Sequence, residues 1–113
     1  MKKSALAVAG AVAFTCLSGA AVAQDAAKGK EVFTTTCAPC HGAEGKGDGA
    51  AAAALNPKPA NLATSTTDDA GLLKTVTEGG AAVGKAPLMV AWKGTLADAQ
   101  IADVVAFVKS LRK

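Results

Sequence analysis

Histidine, methionine, cysteine and aromatic residues are all scarce in this chain of 113 residues, which has one His, two Met, three Cys, one Trp and three Phe. Past residue 23 the soft and nitrogen donors shrink to Cys37, Cys40, His41 and Met89. Two cysteines and one histidine are too few for a structural zinc site, which takes four such donors. The large aromatics of residues 24–113 are Phe33, Trp92 and Phe107, set among much alanine. A domain this small with so thin a core is marginal on side-chain burial alone and commonly needs a disulfide, metal or cofactor to complete it. Charge of one sign is lacking as well. Setting Lys2 and Lys3 aside from the 12 basic residues leaves 10 against 9 acidic ones. No basic block with interleaved aromatics occurs, so no nucleic-acid role is indicated.

What the sequence does hold is concentrated in Cys37-Ala38-Pro39-Cys40-His41. The spacing C-x-x-C-H is that of c-type haem attachment. Each thiol can add across one haem vinyl group, and the adjacent imidazole then lies under the iron as the proximal ligand. A bare C-x-x-C also serves thiol–disulfide exchange, but that reading asks for a βαβ context that the sequence lacks. The plain alternative is a structural disulfide between Cys37 and Cys40, the usual fate of two cysteines in an exported protein.

A second axial ligand has few candidates, and Met89 is the natural one. It lies in Lys85-Ala86-Pro87-Leu88-Met89-Val90-Ala91-Trp92, a stretch that proline breaks and that has no helical period. A lone Met can also be core filler, although filler more often sits on a helix face. Histidine–methionine ligation closes both axial positions and raises the reduction potential, which suits electron transfer better than binding of oxygen or substrate.

The N-terminus reads as a secretory signal peptide over residues 1–23. Lys2 and Lys3 precede an apolar centre, and Ala21-Val22-Ala23 supplies an A-x-A cleavage site. The apolar run is nearly long enough to span a bilayer, but its alanine and glycine content and its A-x-A ending favour cleavage. Cys16 leaves with the leader on this reading. Residues 24–113 then form one exported domain without stable membrane insertion, expected to be a monomer.

Three helices are expected in that domain. Gly29, Phe33 and Cys37 recur at i, i+4 and i+8 over residues 25–36, with Asp25 able to cap the start and Pro39 to end or kink the helix. Thr67-Asp68-Asp69 starts a second helix with Leu72, Leu73 and Val76 on one face, ended by Gly79-Gly80. Thr95 and Asp98 resemble a capping box before Ile101, Val104, Val105, Val108 and Leu111, with Phe107 widening the apolar face. This last helix is expected to cross the first, with Phe107 or Val104 against Gly29 and Phe33. Between them, a glycine-bearing loop at residues 42–49 and the extended Asn56-Pro57-Lys58-Pro59 follow the motif. A carbonyl of that extended segment is expected to accept a hydrogen bond from the outer ring nitrogen of His41. Trp92 either packs on the cofactor, hydrogen-bonds a haem propionate, or fills core.

Gly29-x-x-x-Phe33, Cys37-Ala38-Pro39-Cys40-His41-Gly42, the lone Met89 and the final helix from Ile101 to Val108 together resemble the class I c-type cytochromes over residues 25–111. The resemblance implies an all-α fold of three to five helices around one covalently attached haem c, with one haem edge exposed. It also implies haem attachment in the bacterial periplasm. Many relatives carry proline directly after the ligand methionine, where this chain has Val90. The function so implied is that of a periplasmic one-electron carrier, not an enzyme. It would shuttle electrons between redox proteins such as a quinol-oxidising complex or dehydrogenase and a terminal oxidase or reductase. Cys37 and Cys40 would attach the haem, and His41 and Met89 would be its axial iron ligands. The alternative is a haem-based sensor of small ligands or a weak peroxidase with a labile Met89. No second histidine assists peroxide chemistry, and Arg112 lies at the far end of the last helix. Lys46, Lys85 and Lys93 either ring the haem edge and steer docking to an acidic partner or form an ordinary solvated face.

Overall fold

A computed structural model describes residues 24–113 together with Gly10. The expected signal peptide, its cleavage site and Cys16 lie outside the described residues. Four α-helices are present among the described residues: α1 (Ala26–Thr36), α2 (Ala38–His41), α3 (Asp69–Glu78) and α4 (Asp98–Ser110). Two single 3-10 turns, Ala52–Ala54 and Ala81–Val83, punctuate the loops. The described residues form no strand, only an isolated bridge between Lys93 and Leu96. The described residues are all-helical, as expected. None of the described helices is long and apolar enough to cross a membrane.

Capping residues set most of the helix boundaries. Asp25 is extended, and its carboxylate accepts from the amides of Ala27 and Lys28 at 2.9 and 3.2 Å, satisfying donors that the first turn leaves free. Asp68 does the same for α3 through the Gly71 amide at 2.7 Å, and Gly79 ends that helix at φ 87°. The expected capping box at Thr95 and Asp98 is not formed. Helix α4 begins at Asp98 with Ala97 as its cap, and the Gln100 side chain reaches back to accept from the Ala97 amide at 2.9 Å. Thr95 lies too early because the chain turns once more first: the amides of Thr95 and Leu96 both bond to the Trp92 carbonyl.

The core is the crossing of α1 and α4, with α3 laid against α4. Phe33, Ile101 and Val104 are almost wholly buried, joined by Leu72, Val76, Val105, Phe107 and Val108. The Phe33 and Phe107 rings meet at 5.0 Å between centroids, tilted by 56°, a favourable edge-biased geometry. Gly29 makes the crossing possible, since a Cβ there would collide with the backbone carbonyl of Asp103. A second tie is polar: the buried Asp103 carboxylate accepts from the Asp25 amide at 2.8 Å, fixing the start of α1 against α4. The expected partners are therefore correct. Gly29 faces the Asp103–Val104 backbone, and Phe33 faces Phe107.

Candidate functional site

Helix α2 is a single turn, and it places the motif on one face. Cys37 caps it, its carbonyl accepting from the amides of Cys40 and His41 at 3.2 and 2.8 Å. Residues three and four apart on a helix are neighbours, so Cys37, Cys40 and His41 point the same way. Pro39 sits in the first turn, where a missing amide hydrogen is tolerated. It therefore starts a new turn after the break at Cys37. The two cysteines are free thiols, not joined to one another. Burial pushes the Cys37 thiol up from 9.0 to about 11, with a hydrogen bond to Thr36 acting in the opposite sense and neighbouring Cys40 adding to the rise.

The loop after α2 closes beneath it through backbone bonds alone. The amide of Gly47 donates to the His41 carbonyl at 2.7 Å, Gly49 to Cys40 at 3.1 Å and Ala51 to Pro39 at 2.9 Å. The chain then returns past the imidazole, where His41 Nδ1 lies 3.0 Å from the Ala60 carbonyl. A carbonyl only accepts, so Nδ1 carries the hydrogen and the lone pair of the neutral ring is on Nε2. The expected bond is present one residue beyond the expected segment, because Pro57-Lys58-Pro59 carries the chain past the ring before a carbonyl can turn inward.

Met89 is held by a clasp that sequence reasoning did not find. The Gly80 amide donates to the Met89 carbonyl at 2.7 Å, the Lys85 amide to the Gly80 carbonyl at 2.8 Å, and the Met89 amide to the Ala86 carbonyl at 3.1 Å. Gly80 must be glycine, since a Cβ would strike the Ala86 carbonyl. The Gly79-Gly80 pair thus ends α3 and also seats the methionine loop. Farther along, the Trp92 amide donates to the Val76 carbonyl at 2.9 Å, tying the loop to α3. Trp92 packs on the core, as one of its expected roles has it, and also lines the cavity.

One cavity of about 370 Å³ brings Cys37, Cys40, His41 and Met89 together. Its walls are mainly apolar, from Phe33, Leu62, Leu72, Val76, Val104 and Val108 among others. A second hollow, against the other side of α3 and α4, contains neither cysteine nor histidine. Thiols, an imidazole of fixed tautomer, a thioether and an apolar slot between them form the donor set and shape that a covalently held haem requires. The residues fit the group.

The three expected lysines do not gather at the cavity. Lys46 pairs with Glu44 at 2.9 Å and Lys93 with Glu78 at 2.6 Å, both in exposed positions away from the cavity wall. The hydrogen bond and charge of Lys46 hold the Glu44 carboxyl low, and Glu44 holds the Lys46 ammonium high. Only Lys85 lines the cavity, joined there by Lys58, which sequence reasoning passed over. Lys58 had a legible signal in its position between Pro57 and Pro59, which fix it on a loop that must pass the imidazole.

These features define a class I c-type cytochrome. Residues 26–112 match the family model described as Cytochrome c, and the chain belongs to that family. It is 37% identical over 88 residues to the Cbb3-type cytochrome c oxidase subunit FixP of Bradyrhizobium diazoefficiens, over 77% of this chain and 28% of that subunit. Among solved structures, a chain of the reducing HAO-like protein complex of Kuenenia stuttgartiensis is similar at a TM-score of 0.63 and 33% identity. That match covers 75% of this chain and 41% of the other. The chain therefore spans less than half the length of the relatives it matches. Covalent c-type haem and haem-based electron transfer are what membership of this family brings.

Proposed function

We propose that this protein is a periplasmic one-electron carrier in which Cys37 and Cys40 hold the haem and His41 and Met89 ligate its iron. The observation that carries the proposal is the convergence of these four side chains on one apolar cavity, each supported by its own backbone bonds. The haem, when bound, supplies a one-electron couple. What the chain contributes is a fixed setting. The Ala60 carbonyl orients the imidazole, and the Gly80 clasp presents the thioether from the methionine loop. Two ligands held this firmly would change little between oxidation states, and the apolar walls would limit water at the iron. No residue of the cavity is asked to break a bond in substrate, so the protein acts as a carrier and not an enzyme.

The relatives support redox proteins as partners. One carries oxidase subunit in its name and the other belongs to a complex. For this chain we take the donor and acceptor to be exported or membrane-bound respiratory proteins, met by a monomeric domain after removal of residues 1–23. The A-x-A ending of that stretch supports this localisation.

Optical spectra of the protein exported by a haem-attaching host test the ligand set. A weak far-red band in the oxidised form, lost in Met89→Ala, together with a reduced form that ignores carbon monoxide, is the expected result. A reduced protein that binds carbon monoxide readily has an open sixth position and acts as a ligand sensor or weak peroxidase.

A further inference from the structure

Ser65, Thr67 and Lys85 meet on one stretch of the cavity wall, and their hydrogen bonds are unbalanced. Lys85 Nζ donates to Thr67 Oγ1 at 3.1 Å, and Ser65 Oγ donates to the same oxygen at 3.2 Å. Thr67 Oγ1 therefore accepts twice, and its own proton is still to be given. The Lys85 ammonium carries three donors and spends one. Behind them Arg112 reaches in from beyond the end of α4, its Nη2 donating to the Thr67 carbonyl. Its Nε is buried without a partner. The corner is rich in donors and cations; Ser65 Oγ already accepts from the Thr67 amide at 3.3 Å, and no carboxylate of the described residues lines the cavity there. Lys85 is exposed and Ser65 and Thr67 are half-buried, so these donors stand at the mouth of the cavity, where an anion at the cavity edge can reach them.

We propose that this Ser65–Thr67–Lys85 corner, backed by Arg112, receives one haem propionate. The proposal rests on the haem reading and deepens it. Thioethers from Cys37 and Cys40 would fix the vinyl side of the macrocycle to α2, leaving the propionates to be met by residues of other segments. Ser65 and Thr67 come from the loop before α3 and Lys85 from the methionine loop. The other cavity hydroxyls are committed: Thr75 Oγ1 donates to the Gly71 carbonyl at 2.7 Å and Thr36 Oγ1 to the Val32 carbonyl. No carboxylate lines the cavity among the described residues, and its remaining ionisable groups are Lys58 and His41, with the two motif thiols. The nearest acids in sequence are engaged elsewhere. Asp68 caps α3 at 2.7 Å, and Asp69 pairs with Lys109 at 2.8 Å. The corner also joins the loop before α3 to the methionine loop and the chain end, so a carboxylate there would close three segments over one haem edge.

The test uses holoprotein whose propionate carboxyls carry carbon-13, introduced through labelled aminolevulinate, and follows both resonances against pH in wild type, Lys85→Met, Lys85→Arg and Thr67→Val. An opposite charge at contact lowers a carboxyl pKa by about one to three units. One resonance should therefore titrate about one unit or more higher in Lys85→Met, return toward wild type in Lys85→Arg, and rise by a smaller step in Thr67→Val. The other should not move. If neither resonance shifts in Lys85→Met while the haem is covalently bound, the propionate assignment is overturned and the haem reading stands. A purified chain without covalent haem overturns the haem reading itself, which the absorption spectrum reports before any titration.

Discussion

The α1–α4 crossing and the loops around the cavity are built on different physics. At the crossing, Gly29, Phe33, Val104 and Phe107 interlock directly, and Phe33 and Val104 also turn an edge to the cavity. Around the cavity the loops of residues 42–68 and 79–96 are held largely by backbone bonds, and the inward faces of Leu62, Met89 and Trp92 open on a hollow. One region is complete in the polypeptide and the other is complete only with haem. The largest expected effect follows from removing the tether. In the double variant Cys37→Ser/Cys40→Ser the haem is no longer covalent, and a domain with so little core should lose its cooperative transition altogether. That amounts to the whole of a small domain's stability, about 5–15 kcal/mol. Circular dichroism with thermal melts checks it; a sharp apoprotein transition would show that the crossing folds alone.

Breaking the crossing should be the converse. Phe33→Ala removes a ring that is 1% exposed and should destabilise the holoprotein by about 3–5 kcal/mol. The proposed ligands His41 and Met89 are held by their own backbone bonds and not by that ring, so the far-red band of the folded fraction should persist. Denaturant melts of the holoprotein, followed in the visible spectrum, separate the two effects. A lost band at low denaturant would mean that the crossing also sets the ligands.

The Cys37 thiol reports whether the cavity wall forms without haem. In a formed wall its pKa is about 11, above the ordinary 9.0. A folded pKa above the unfolded one means that the neutral thiol stabilises the fold. That contribution is complete below pH 9.0 and is lost as pH rises through about 11. Two units correspond to roughly 2.7 kcal/mol. Because the apoprotein should be unfolded, alkylation of Cys37 in apo Cys16→Ala/Cys40→Ala should rise with a midpoint near the ordinary value. A midpoint near 11 would show a wall formed ahead of the cofactor.

Met89→Leu sharpens the comparison from the cavity side. The substitution nearly conserves volume, so its packing penalty should stay below about 1.5 kcal/mol. The sulfur is gone, however, and the reduced protein should bind carbon monoxide. A spectrum unchanged by the substitution would remove Met89 from the ligand set.

The same division governs what the sequence reveals. Period-3.6 apolar spacing exposes α1, α3 and α4, and the Gly29/Phe33 against Val104/Phe107 contact could be anticipated, because helices packing on helices leave a repeating signal. The motif cysteines and His41 are legible because their chemistry is local. The Ala60 carbonyl, the Gly80 clasp and the Arg112 contact with Thr67 are not, because backbone groups carry no residue identity and 45 positions separate Arg112 from Thr67. Thr95 misled for a related reason. A cap is recognised by its neighbours, and the extra turn closed on the Trp92 carbonyl is invisible until the chain is folded.

The smallest effect concerns the lysines of the cavity loops, which differ in whether a carboxylate lies beside them. Lys93 lies on the far side of Trp92 from the methionine and is already neutralised by Glu78 at 2.6 Å, both side chains well exposed. Exposed pairs of this kind contribute about 0–1 kcal/mol, so Lys93→Ala should barely move the melting temperature. Its field is cancelled at short range by Glu78, so the ionic-strength dependence of electron exchange with an acidic redox partner should change little. Lys58→Ala should flatten that dependence, because this cation stands on the cavity wall apart from the corner proposed to hold the propionate, and no carboxylate of the described residues lines that wall. Stopped-flow reduction over a range of salt, with both variants against wild type, measures the contrast. Equal flattening in Lys93→Ala would assign steering to the net charge of the domain and not to the cations on the cavity wall.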